Sequence, residues 1–140
     1  MSLEASSHYL RLIEHDREVL RLLTEQPAPA LDTSDWQITI LYYILCLYMK
    51  ALGSMGGLEF QDHYAIKQWL NSTPELVAIA KPYRKAEEWS RDARYEGRLF
   101  NDSERTRFLN WFTIVRAHLT QLLRSAGVTN LPQIELIFPS

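Results

Sequence analysis

Trp36-Gln37-Ile38-Thr39-Ile40-Leu41-Tyr42-Tyr43-Ile44-Leu45-Cys46-Leu47-Tyr48-Met49-Lys50-Ala51-Leu52 contains one charge in 17 residues. No helical face of this run is polar. A helix that is apolar all round must be covered on every side, so it predicts either the centre of a bundle or a helix with one face against a second copy of the protein. The run falls short of the roughly 20 apolar residues that cross a bilayer. It also carries Gln37, Thr39, three tyrosines and Lys50, so no membrane span is assigned. Thr33, Ser34 and Asp35 are competent N-caps before it, and Gly53 reads as its stop.

On the N-terminal side of this run, Leu10, Ile13, Leu20 and Leu23 follow helical spacing in a first helix over about 5–25, stopped by Gln26-Pro27-Ala28-Pro29-Ala30. On its C-terminal side, Tyr64, Ile66, Trp69 and Leu70 mark a short helix over about 62–71. Thr73-Pro74 opens a fourth over about 74–95, where Pro82 predicts a break or kink near Lys81. On it, Glu87 with Arg91 and Arg84 with Glu88 stand at pairing distance. Asn101-Asp102-Ser103-Glu104 has the form of a capping box for a fifth helix reaching about Ser125, with Gly127 beyond it. The tail from Val128 to Ser140 holds Leu131, Ile134, Leu136, Ile137 and Phe138, and is too apolar to stay free of the bundle or of a partner. The fold class is therefore all-α: an up-and-down bundle of four to five helices in a single domain spanning 1–140.

The chain is long enough for one real core; at this size roughly 68–70% of the unfolded surface is buried. Its 46% hydrophobic and 23% charged residues are ordinary for a globular domain. Five glycines and six prolines are too few for the turns of a β-sandwich. The net charge of −2 gives no global pull on nucleic acid, but the charge is unevenly spread. Residues 1–35 hold seven acids against three arginines, whereas 81–107 hold eight bases against six acids. Only the second stretch can present a basic face. The single cysteine, Cys46, lies within the apolar run and excludes an intrachain disulfide. That, with a start lacking a basic and apolar leader, predicts a cytoplasmic location.

Motifs for known chemistries are missing. There is no G-x-S-x-G, no H-E-x-x-H, no C-x-x-C and no phosphate-binding glycine loop. His8 and His15 share a helix face but have no third ligand in sequence, so no metal and no cofactor are assigned. The segment with chemical promise is Trp89-Ser90-Arg91-Asp92-Ala93-Arg94-Tyr95-Glu96-Gly97. Arg91 and Tyr95 share one helix face, as do Ser90 and Arg94. Two guanidiniums near a phenol suit a phosphate or a stacked nucleobase.

Asp35-Trp36 opening an aromatic helix, His63 at the next helix start, Pro74-Glu75-Leu76 leading to Tyr83, then Ser90 to Tyr95 and a long last helix form an order that resembles the HEPN superfamily over about 33–125. The resemblance implies a four- or five-helix bundle, often a homodimer. Many members are metal-independent endoribonucleases, frequently toxins in toxin–antitoxin pairs with a small nucleotidyltransferase. Others are non-catalytic nucleic-acid or nucleotide-binding modules. Nuclease members carry Arg, four to six residues, then His, with Asn or Asp often directly after the Arg. Arg91-Asp92 matches the start of that motif, but after four intervening residues stands Glu96. Glu96 cannot both accept and donate a proton near neutrality as an imidazole does. The expectation is thus a HEPN-like binding module, with Arg91, Asp92, Arg94, Tyr95, Arg98 and His63 as candidate RNA- or phosphate-binding residues. A second copy, a nucleotidyltransferase or RNA are the expected partners. The alternatives are a ribonuclease with a variant site and a ligand-free structural bundle.

Overall fold

In a computed structural model of the chain, residues 3–25, 31–129 and 131–132 are described. They form an all-α bundle: α1 (Leu3–Thr24), α2 (Ser34–Met55), α3 (His63–Ser72), a 3-10 turn (Pro74–Ile79), α4 (Ala80–Glu96) and α5 (Asp102–Ser125). No strand occurs among the described residues. Both the proline-rich stop at Gln26–Ala30 and the apolar tail residues Ile134, Leu136, Ile137 and Phe138 lie outside them.

Helix α2 is the axis, packed by α1, α4 and α5, with α3 crossing beside it. It is long and apolar enough to cross a membrane by length and composition, yet 67% of its most apolar stretch is buried inside the bundle. Ile38, Leu41, Tyr42, Ile44, Leu45, Tyr48 and Met49 have no exposed surface. About two thirds of the apolar perimeter is thus covered by the chain's own helices; Trp36 and Tyr43 are its exposed aromatics. Phe108, Phe112, Val115, Leu119 and Leu123 supply the facing stripe of α5. Their spacing of four, three, four and four is the ridge expected of a helix docked on one side.

Helix α2 starts where the sequence places it, with Thr33 as N-cap, but its capping bonds and its C-terminal end differ from the sequence expectation. Asp32 Oδ1, not a side chain of 33–35, accepts from the Ser34 N–H at 2.9 Å. Thr33 Oγ1 instead accepts from Gln37 Nε2, and Ser34 Oγ accepts from the backbone N–H of Phe100 at 2.9 Å. That last bond clamps the start of α2 to the loop after α4, so the two helices run antiparallel, with Cys46 lying opposite Tyr83. Gly53 does not stop the helix, which continues to Met55; a Cβ there would lie 2.5 Å from the Phe60 ring. This glycine is needed for close approach, and Gly57, at φ +81°, makes the turn.

The break expected near Lys81 comes slightly earlier. Residues 74–79 wind as a 3-10 helix, and Ile79, at φ −107° and ψ 1°, marks the junction. Pro82 then sits in the first turn of α4, where its missing N–H has no intrahelical partner to lose. At α5 the capping box is complete: Asn101 Oδ1 accepts from Glu104 N–H at 2.9 Å and Glu104 Oε1 accepts from Asn101 N–H at 3.0 Å. Asn101→Ala is expected to cost about 1 kcal/mol, read as a lowered urea midpoint with unchanged slope. No change in midpoint would show the box to be dispensable.

Candidate functional site

Three helices bring polar side chains to one place through helical spacing. Tyr83, Glu87, Ser90 and Arg94 are four, three and four apart and form a single stripe on α4. Tyr42, Cys46 and Lys50 form a second on α2; His63 and Lys67 form a third on α3. The floor of the cluster is buried: Tyr42, Tyr83 and Ser90 have at most 1% exposure, and Cys46 and Glu87 are nearly as enclosed. Its rim is open, carrying Tyr43, His63, Lys67, Arg91 and Arg94.

The floor is wired by hydroxyl, thiol and imidazole groups. The Tyr42 hydroxyl and His63 Nδ1 are 3.0 Å apart, and Cys46 Sγ lies 3.7 Å from the same nitrogen and 3.4 Å from the Tyr83 hydroxyl. Burial raises the pKa of both phenols and of the Cys46 thiol, so all three keep their protons. Burial, then the charge of Arg94, lowers that of His63. A protonated phenol beside a neutral imidazole fits a Tyr42 O–H donating to Nδ1. Cys46 is thus no thiolate nucleophile in this setting.

Charge is concentrated at the rim. Glu87 Oε1 accepts from Arg91 at 3.0 Å and from Lys67 at 3.3 Å. Arg94 donates through Nε to the Ser90 carbonyl and through a terminal nitrogen to the Tyr43 hydroxyl. Its guanidinium lies 5.4–5.5 Å from the ring centres of Tyr42, Tyr43 and Tyr95. On α2, Lys50 stands one helical turn beyond Cys46, whose Sγ faces His63, and so adds charge on the same side. Asp62, whose side chain caps α3, is the second carboxylate that His63 feels besides Glu87. Four cations and two carboxylates therefore share this part of the surface.

Of the residues singled out in the sequence, His63, Arg91, Arg94 and Tyr95 meet here. Tyr95 is 76% exposed and open to stacking. Asp92 and Arg98 are held elsewhere, where the last turns of α4 meet the loop to α5. There Arg98 pairs with Asp92 at 3.0 Å and Glu104 at 2.5 Å, over the rings of Trp89 and Phe100. The Glu87–Arg91 pair forms as the spacing predicts. Arg84 instead donates to Asn71, and Glu88 pairs with Lys85. Sequence reasoning misses Tyr42, Cys46, Lys67 and Tyr83 as parts of a site, and misses the burial of Glu87. The stripe of aromatic, acid, serine and arginine on α4 is the signal that could have found them. Among the described residues no group of His, Cys, Asp and Glu is placed to hold a metal ion.

His63 makes stability depend on pH. A histidine whose folded pKa lies below its unfolded value is stabilising as the neutral form. Its contribution is complete above about 6.5, and is lost as pH falls from there towards the folded value. The stability of the wild type relative to His63→Gln is expected to decline below about pH 6.5. A constant difference between pH 7.5 and 5 in urea titrations would show that His63 is not held neutral.

Comparison with protein-family models, curated proteins and solved structures gives no significant match.

Proposed function

We propose that the chain is a HEPN-like helical module that binds single-stranded RNA, without cleaving it, at the rim between α2, α3 and α4. One observation carries this reading: Lys50, Lys67, Arg91 and Arg94 outnumber the carboxylates of Glu87 and Asp62, beside the accessible rings of Tyr43 and Tyr95. A local excess of about two positive charges attracts phosphate, and the largely exposed Tyr95 ring accepts an unstacked base of any kind. Arg94 suits both tasks, because a guanidinium binds phosphate in a fork and stacks on rings.

A fluorescently labelled single-stranded RNA titrated at two salt concentrations tests it. The expected result is saturable binding that weakens as salt rises, with no cleavage product. Absence of binding at low salt would remove the proposal. A ribonuclease reading has one observation in its favour, that His63 and Arg94 both lie against the Tyr43 ring. It requires cleavage that His63→Ala abolishes while RNA binding remains.

A further inference from the structure

Beneath the rim, two buried polar atoms lack a hydrogen-bond partner among the described residues: Glu87 Oε2 and Ser90 Oγ. Glu87 is 6% exposed and Ser90 not at all. The two residues stand three apart on α4, so they lie on one face and within one turn. Glu87 Oε1 meets Lys67 of α3, one turn beyond His63, whose Nδ1 meets the Tyr42 hydroxyl, so the carboxylate lies at the same α3–α4 seam. Ser6 Oγ, Gln37 Oε1 and the Tyr48 hydroxyl are likewise unmet among the described residues, but only Glu87 Oε2 and Ser90 Oγ belong to residues within one helical turn, where they can offer a paired hydrogen-bonding position to a single group.

The chemistry of this pair is selective. Glu87 Oε1 is already occupied by Lys67 and Arg91, leaving Oε2 as an acceptor only. Ser90 Oγ can donate or accept. A phosphate brings acceptors alone and is repelled by the carboxylate. A flat group with an N–H donor beside a second polar atom satisfies both positions, and the edge of a nucleobase has this form. Lys67 and Arg91, the long side chains bound to the carboxylate, are partly exposed and can swing without moving a helix.

We propose that Glu87 Oε2 and Ser90 Oγ receive the hydrogen-bonding edge of one unpaired nucleobase, while Arg94 keeps the adjoining phosphate at the rim. This rests on the RNA-binding reading above and adds that the base, not the backbone alone, is recognised.

The test is fluorescence anisotropy with two labelled oligonucleotides of equal length and phosphate number, one carrying bases and one abasic. Wild type is expected to bind the base-bearing strand about tenfold more tightly. Glu87→Gln is nearly isosteric. It replaces one of the two acceptor oxygens with an amide that donates, and should bring the preference within about twofold. Ser90→Ala is expected to lower the preference by about threefold, and carries the test alone if circular dichroism shows Glu87→Gln to be unfolded. Equal wild-type binding of both strands overturns this inference and leaves RNA binding standing; a buried water would then satisfy the two atoms. An undiminished preference in the folded variants also overturns it. No binding of either strand by wild type overturns the RNA reading and this inference together.

Discussion

Phe112→Ala is expected to lose about 3–5 kcal/mol of folding stability. Phe112 has no exposed surface and belongs to the buried cluster that joins α5 to α2. Removing the ring takes away its transfer free energy and leaves a hole that neighbours on two rigid helices cannot fill. A domain of this size has about 5–15 kcal/mol to lose, so the variant should melt some 10–20 °C lower or fail to fold. Urea denaturation of the wild type and variant measures the difference. Ile114, two residues on and 52% exposed, is the control: Ile114→Ala should change stability by no more than about 0.5 kcal/mol. Similar costs at both positions would mean that α5 does not present the face described.

Arg94→Ala is expected to weaken binding of single-stranded RNA by about 10- to 100-fold. A charge-assisted hydrogen bond is worth about 1.5–3 kcal/mol, and each 1.4 kcal/mol is a factor of ten. The loss should come with little change in stability, because Arg94 lies at the rim and its bond to the Tyr43 hydroxyl is exposed. Arg94→Lys separates charge from shape. It keeps the attraction to phosphate but not the planar fork or the stacking, and should fall between wild type and alanine. The alanine variant should also reduce the salt dependence by about 0.7 in the slope of log affinity against log salt, the value for one phosphate contact on a single strand. Unchanged affinity in Arg94→Ala would place any RNA contact elsewhere.

The fold is legible in the sequence because its strongest signals are local. Seventeen residues with one charge make a buried axis, and the Asn101–Glu104 box and the glycine beyond α5 are read without knowing the tertiary structure. Gly53 misleads because a glycine that ends a helix and one that admits a ring look alike in sequence; Phe60 decides between them from outside the helix. Pro82 announces a break, but whether the chain kinks at the proline or restarts the helix before it depends on Leu76 and Ile79 being drawn into the core.

The site is half legible. Arg91, Arg94 and Tyr95 lie close in sequence and share helix α4, so their gathering is a local property. Glu87 has the sequence signature of an exposed surface pair, and it does pair with Arg91. Its burial is a tertiary property: α4 packs along α2, and Lys67 of α3 lies against the carboxylate. Asp92 and Arg98 carry the same residue types as a ligand site, yet Glu104 and the rings of Trp89 and Phe100 claim Arg98 for the loop to α5. Residue type alone does not separate these fates.

The hydrogen bond from the Phe100 N–H to Ser34 Oγ joins residues 66 apart in the chain. Much of the remaining packing is between neighbours in sequence, α1 with α2 and α4 with α5. In topological terms the molecule is two helical hairpins that must dock, and the contacts of α2 with both α4 and α5 are that docking. The cluster of Tyr42, Cys46, Tyr83 and Glu87 spans the same seam, so it does not exist in either hairpin alone. A ligand bound there selects the docked state and stabilises the whole chain through mass action. The polar seam is thus where assembly is completed, and where binding of the proposed ligand would be thermodynamically linked to folding.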